Sequence, residues 1–147
     1  MTVIERSALL PHAAEQIFDL VADIERYPEF LDGCVGANIL DQSHEAVTAT
    51  LRLSRAGISH GFTTRNIMHR PERIELTLVE GPFENFAGLW SFRALGAAAC
   101  KTSLRLQFDL ASGLASAAAG KLFDKVALDL VDAIVRRAGQ QLAPAEH

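Results

Sequence analysis

Apolar and polar residues alternate along several stretches of the chain, most clearly through residues 47–54, 74–78 and 103–110. A period of two with one polar face is typical of an antiparallel sheet whose other face is buried. Turn-forming residues separate the stretches, at Asp41–Glu45, Ala56-Gly57, Arg70-Pro71-Glu72, Gly81-Pro82 and Gly96–Ala99. Together with an opening strand over Val3–Leu10, the pattern predicts about seven strands, the last six joined as a meander.

Two short helices are predicted between the first strand and the rest of the sheet. Apolar residues at helical spacing support a helix over Ala13–Ala22, namely Ile17, Phe18 and Val21. A second helix over Ile24–Tyr27 follows, with Asp23 as its expected cap and Pro28 at its end.

The last part of the chain has the pattern of one long helix. The helix is expected over Gly113–Leu142 with Ser112 as its cap, and a broad apolar stripe runs along it from Leu122 to Val135. Strands followed by a helix that covers one face of the sheet predict the α+β class, with a long C-terminal helix lying across the sheet.

Composition narrows the class of protein further. The chain has 147 residues, 49% of them hydrophobic, which predicts a single domain over residues 1–147 with a flexible tail only at Ala143–His147. Fourteen basic and 18 acidic side chains give a net charge of −4, so DNA is not an expected partner. Met1 leads directly into the first strand without a secretory signal, and we expect a cytoplasmic protein in which Cys34 and Cys100 are reduced.

Catalytic and metal-binding motifs do not appear in the sequence. The histidines are scattered, no pair of them has metal-ligand spacing, and no phosphate-binding loop or nucleophile elbow occurs. We therefore expect no catalytic residue, no metal and no cofactor, apart from a ligand that the fold itself encloses.

Short motifs spread over nearly the whole chain carry a family resemblance. They are Glu5-Arg6-Ser7, Ala14–Val21 with Asp23, Tyr27-Pro28-Glu29-Phe30-Leu31-Asp32-Gly33-Cys34, Ala56-Gly57-Ile58, Phe62-Thr63-Thr64-Arg65-Asn66, Gly81-Pro82-Phe83, Trp90-Ser91-Phe92, Leu122-Phe123 and Ala133–Ala138. In this order and spacing the chain resembles the START-like, or helix-grip, superfamily, and more closely its branch of coenzyme Q-binding proteins and ribosome association toxins. Asp32 and Ile134 depart from the family pattern, which commonly has proline and an aromatic residue there.

The resemblance implies a curved sheet wrapped around the C-terminal helix, with a cavity for a hydrophobic ligand between them. Residues expected to face that cavity are Phe30, Phe62, Thr64, Asn66, Met68, Leu76, Leu78, Phe83, Trp90, Phe92, Leu106, Phe108, Phe123, Val126 and Leu130. Thr64 and Asn66 could bond a quinone carbonyl, and Trp90 could stack on the ring. For each of these residues, plain core packing stays an open alternative.

The function expected first is binding of ubiquinone or a related isoprenoid quinone in support of respiration or quinone biosynthesis. The aromatic segment Gly81–Trp90 suggests peripheral contact with the inner membrane. One alternative is a toxin-like inhibitor of ribosomal subunit association, paired with a small antitoxin and using Arg52, Arg55 and Arg65. A second alternative is polyketide cyclase or dehydratase activity.

Overall fold

The computed structural model describes residues 2–110 and 117–142. Seven strands form one sheet, and the predicted strand count is confirmed. The strands are β1 (Thr2–Leu10), β2 (Cys34–Gln42), β3 (Ala46–Arg55), β4 (Ile58–His69), β5 (Arg73–Glu80), β6 (Phe83–Ala94) and β7 (Cys100–Leu110).

All neighbouring strands are antiparallel, in the order β1-β7-β6-β5-β4-β3-β2. Strands β2 to β7 form the predicted meander, and β1 pairs with β7 in unbroken register from Thr2 opposite Phe108 to Leu10 opposite Cys100. The predicted turns lie between these strands, except that β2 continues through Asp41 and Gln42. The β3–β4 turn places Ala56 at φ 52° and Gly57 at φ 83°. Ala56-Gly57 is thus a tight turn with two left-handed residues, which favours glycine at its second position.

Helix α1 (Ala14–Ala22) leads directly into a short 3₁₀ helix (Ile24–Glu29). Asp23 occupies the N-cap position of this second helix as predicted, but its side chain makes no capping bond. Its carboxylate instead lies 3.1 Å from the guanidinium of Arg26. Pro28 lies inside the 3₁₀ helix, which continues to Glu29, two residues beyond the predicted end. A proline is compatible with so short a helix, because few of its N–H groups have a partner within it.

The long C-terminal helix, α2, is described over Ala117–Gln141. Its predicted start at Gly113, the cap at Ser112 and the tail Ala143–His147 lie outside the described residues. One side of α2 is buried against the inner face of the sheet, through Leu122, Phe123, Val126, Val131, Ile134 and Ala138. The predicted α+β arrangement, a curved sheet around a terminal helix, is confirmed.

Both cysteines are buried and free: Cys100 is fully buried, and Cys34 is 4% exposed. None of the described helices combines the length and the apolarity that a bilayer crossing requires.

Candidate functional site

A cluster of five phenylalanine rings occupies the space between the sheet and the N-terminal half of α2. Phe83 is at its centre, with its ring centroid 4.6 Å from that of Phe123, 5.2 Å from Phe108, 5.4 Å from Phe86 and 5.5 Å from Phe62. Three of these four contacts are edge-on, the arrangement that aromatic quadrupoles favour. The cluster is therefore packed by specific ring geometry.

A β-bulge brings two of these rings to the same side of the sheet. Phe83 and Phe86 are three residues apart in β6, so regular alternation would send them to opposite faces. The pairing of β6 with β7 shifts register between Glu84 and Ala87, and Asn85 adopts φ 54°. Phe86 has the same parity as the buried Trp90 and Phe92, so the irregularity is what brings Phe83 to the same side of the sheet.

A small cavity of about 80 Å³ remains beside the cluster. Seven of its lining residues were predicted, namely Phe62, Phe83, Leu106, Phe108, Phe123, Val126 and Leu130. Five were missed, namely Leu31, Leu51, Leu53, Phe86 and Ala127. The alternation in β3 contained the signal for Leu51 and Leu53. Pockets that hold drug-sized molecules have volumes of roughly 300–1,000 Å³, so this conformation has no room for a quinone with its tail.

Trp90 and Phe92 lie away from this cavity, at the end of the sheet that contacts α1. Their rings are stacked, with centroids 6.1 Å apart and planes 9° apart, and Phe18 packs edge-on against Phe92 at 5.3 Å. Trp90 is 2% exposed. The rings of the Gly81–Trp90 segment, expected at a bilayer, thus pack mainly in the interior, with Phe83 buried and Phe86 half-buried.

Other predicted residues lie along the rest of the inner face. Met68 lines an open groove of about 450 Å³ beside α1, together with Val47 and Arg70. Leu76 and Leu78 are half-buried. Leu76 packs over Gly88, where a Cβ atom would lie 2.9 Å from Leu76 Cδ1. Any larger residue would therefore push this leucine out of its place.

Thr64 and Asn66 form a polar pair within the otherwise apolar inner face. The Thr64 hydroxyl donates a hydrogen bond of 2.8 Å to Asn66 Oδ1, and both residues are buried. Their cross-strand neighbours are small or apolar: Ala49 and Leu78 flank Thr64, and Val47 and Leu76 flank Asn66. The pair satisfies part of its own hydrogen-bonding capacity, which lowers the cost of its burial.

The C-terminal half of α2 is held to the 3₁₀ helix by a buried arginine. Arg137 Nη2 bonds Glu29 Oε1 at 2.5 Å, and its guanidinium lies 5.1 Å from the centroid of the Phe30 ring. Phe30 also packs edge-on against Tyr27. The predicted cavity residue Phe30 thus supports α2 from outside the aromatic cluster. Arg137 Nε and His12 Nδ1 are buried and have no hydrogen-bond partner among the residues that the structure describes.

The interior contains few side chains that could take part in a catalysed reaction. All twelve residues that line the cavity are apolar. The described residues contain no group of His, Cys, Asp or Glu side chains that could hold a metal ion. Burial raises the pKa of the Cys34 thiol and that of the Tyr27 hydroxyl, so both favour their neutral forms. Such groups are poor nucleophiles near neutral pH.

Five arginines on β3 to β5 and the turns between these strands divide into paired and unpaired groups. Arg55 is 3.1 Å from Asp32, Arg70 is bonded twice to Asp19, and Arg73 is 3.7 Å from Glu75. Arg52 and Arg65 are exposed, and neither has an ion pair within the described parts of the chain. They lie on the outer face of the sheet, the face opposite α2, among Thr48, Thr50, Thr63 and Thr77.

A family model described as polyketide cyclase/dehydrase and lipid transport matches residues 10–135. The chain is 45% identical to the Ribosome association toxin RatA of Pseudomonas aeruginosa, over 95% of this chain and 96% of that protein. It superposes on the Zhui aromatase/cyclase of Streptomyces sp. R1128 with a TM-score of 0.81 and 17% identity, covering 98% and 97% of the two chains.

A START superfamily protein from Mycobacterium smegmatis gives a TM-score of 0.77 at 21% identity, over 94% of this chain and 97% of that one. At such low identities the two solved structures show a common fold. The family model and the toxin relative, in contrast, cover most of the sequence itself. The chain therefore belongs to the polyketide cyclase/dehydrase and lipid transport family.

Proposed function

We propose that this protein binds a ribosomal subunit and inhibits subunit association, using the outer face of the sheet. The observation that carries the proposal is the 45% identity, along 95% of the chain, to a protein named as a ribosome association toxin. The interior supports it indirectly, because a cavity of about 80 Å³ leaves little room for a cargo molecule.

The outer face has the chemistry to contact RNA phosphates. Arg52 and Arg65 are four residue pairs apart along β3 and β4, about 13 Å at ~3.3 Å per residue. The Thr50 and Thr63 hydroxyls lie between them and share a hydrogen bond of 2.6 Å. Arginine and threonine are common phosphate ligands. Glu80 is opposite Thr63, so one carboxylate lies beside the space between the two arginines.

The protein carries a net charge of −4, so attraction to RNA must come from a local group of cations. The salt dependence of ribosome binding is therefore the sharpest test of the proposal. We expect the wild-type protein to co-sediment with one ribosomal subunit, and the Arg52→Gln/Arg65→Gln double variant to bind at least tenfold more weakly. Each lost phosphate contact should lower the slope of log affinity against log salt by about 1. Arg136→Gln is the matched control, because Arg136 is an exposed arginine on α2, outside the sheet.

Two results would contradict the proposal. Absence of co-sedimentation with either subunit at low salt would refute the function itself. Unchanged affinity and salt slope in Arg52→Gln/Arg65→Gln, with intact thermal stability, would show that binding uses another surface.

A second candidate function is binding of an apolar ligand, with ubiquinone as the proposed species. The buried Thr64–Asn66 pair favours it, because a polar pair facing the interior could orient a carbonyl group. It requires α2 to move away from the phenylalanine cluster. Native mass spectrometry of protein purified from its own host tests it, and the candidate fails if no quinone co-purifies while ribosome binding is intact.

A further inference from the structure

The hairpin between β6 and β7 ends in an exposed apolar turn. Residues 94–99 contain only alanine, leucine and glycine, and residues 93–98 are all exposed. Leu95 is 46% exposed, and its N–H bonds the Ala99 carbonyl at 2.9 Å, which closes the turn. Because the turn is internally bonded, its leucine is held at the surface.

A second exposed leucine lies beside this turn. Leu9 of β1 is 71% exposed, the highest value among the large apolar side chains of the described residues. It is directly opposite Lys101 of β7, which is in turn directly opposite Arg93 of β6. Directly opposite residues point to the same face of a sheet. Leu95 lies just beyond the end of β6, two residues after Arg93, and its hydrogen bond to Ala99 continues the β6–β7 pairing by one position. Leu9 and Leu95 therefore flank two cations on one face.

The two cations are in an unusual position. Like charges directly opposite each other across two strands destabilise a sheet, and Arg93 and Lys101 have this arrangement. Neither has an ion pair in the segments that the structure describes, whereas Arg105 of the same sheet pairs with Glu5. An external anion would relieve their repulsion.

The shape of this surface favours a flat partner. Glu15 and Glu72 line the groove next to Arg93, so the cations do not enclose a deep anion pocket. Arg93 and Lys101 instead lie beside the exposed apolar turn at the end of the β6–β7 hairpin. Nucleic acid would neutralise the cations but would leave both leucines in water, whereas a lipid interface accommodates leucines and cations together. We define the Leu9, Arg93, Leu95 and Lys101 side chains as the hairpin surface.

We propose that the hairpin surface docks on the headgroup region of an anionic phospholipid bilayer. The leucines enter the interface, and Arg93 and Lys101 contact lipid phosphates. A cation near an anionic leaflet strengthens binding by roughly fivefold, so removing both should weaken it by about 25-fold. Neutral lipid should bind weakly, because the leucine contacts alone cover a small area.

Flotation with phosphatidylcholine vesicles, with and without phosphatidylglycerol, tests the proposal. We expect the protein to float with the anionic vesicles. Binding should fall by tenfold or more in Arg93→Gln/Lys101→Gln and in Leu9→Ser/Leu95→Ser. Leu40→Ser is the matched apolar control, because Leu40 is 62% exposed on the opposite edge strand. Arg52→Gln/Arg65→Gln is the matched charge control, and both controls should float like the wild-type protein.

The outcome separates this proposal from ribosome binding. The proposal is overturned if the protein floats with neither vesicle. It is also overturned if both charge variants lose binding equally, since attraction would then be diffuse, or if Arg93→Gln/Lys101→Gln impairs ribosome co-sedimentation and leaves flotation unchanged. Melting curves of every variant establish that losses do not come from unfolding.

Discussion

Replacing Phe83 with alanine removes the ring that contacts four others in the interior. Phe83 is 8% exposed, and truncation of a buried phenylalanine to alanine costs about 3–5 kcal/mol of unfolding free energy. For a chain of this size each kcal/mol shifts Tm by about 2–4 °C, so the variant should melt about 6–20 °C lower. Urea unfolding followed by circular dichroism measures the free energy directly.

The same substitution tests whether the new space is dry and apolar. It joins the existing cavity of about 80 Å³ to the volume of a phenyl ring. Apolar engineered cavities of about 150 Å³ take up benzene. We therefore expect benzene to raise the Tm of Phe83→Ala and to leave that of the wild-type protein unchanged.

Phe86→Ala is the matched control, because Phe86 is half-buried and contacts only Phe62 and Phe83 among the rings. It should cost about 1–2 kcal/mol. If Phe83→Ala does not fold, Phe83→Leu can be measured in its place. We expect it to lose less free energy of unfolding than the alanine variant. A loss under about 1 kcal/mol for Phe83→Ala, without a benzene effect, would refute the packed aromatic centre.

The 3₁₀ helix and the thiol supply the remaining predictions. Glu29→Ala should cost about 1–2 kcal/mol in urea unfolding, since it leaves the buried Arg137 guanidinium without its carboxylate. Asp19→Ala, which breaks an exposed pair with Arg70, should cost under about 1 kcal/mol. Equal losses in the two variants would contradict a larger contribution from the pair whose arginine is buried. Burial raises the pKa of Cys34 and of Tyr27, so the unfolded chain loses their protons first, and stability should fall above about pH 9. Cys34→Ala should reduce that fall between pH 9 and 10, and an unchanged pH profile would refute the thiol's part in it.

The meander and its inner face could be predicted because each strand alternates within itself. Leu104, Leu106 and Phe108 are buried as their spacing indicates, and the same holds for Ile74. This pattern is local: a strand with one buried face needs apolar residues at every second position, wherever its partners lie. The ends of the strands could be predicted from glycine and proline, whose backbone preferences are also local.

Features that depend on two distant segments could not be predicted in this way. The inward position of Phe83, out of step with Phe86 and the buried Trp90, requires a register shift between β6 and β7, and nothing in the alternation of either strand encodes that shift. Asp23 had the right residue type for a cap but bonds Arg26 instead, since the direct passage from α1 to the 3₁₀ helix sets its direction.

The sequence by itself determined the fold class, the order of the six meander strands and the family, because hydrophobic period and motif spacing are properties of the chain. Only the tertiary structure decided how much of the interior is empty. The volume between α2 and the sheet is a small difference between two large quantities: the space that the curved sheet encloses and the side-chain volume that fills it. Where Phe83, Phe108 and Phe123 meet, the packing of rings from three elements leaves about 80 Å³.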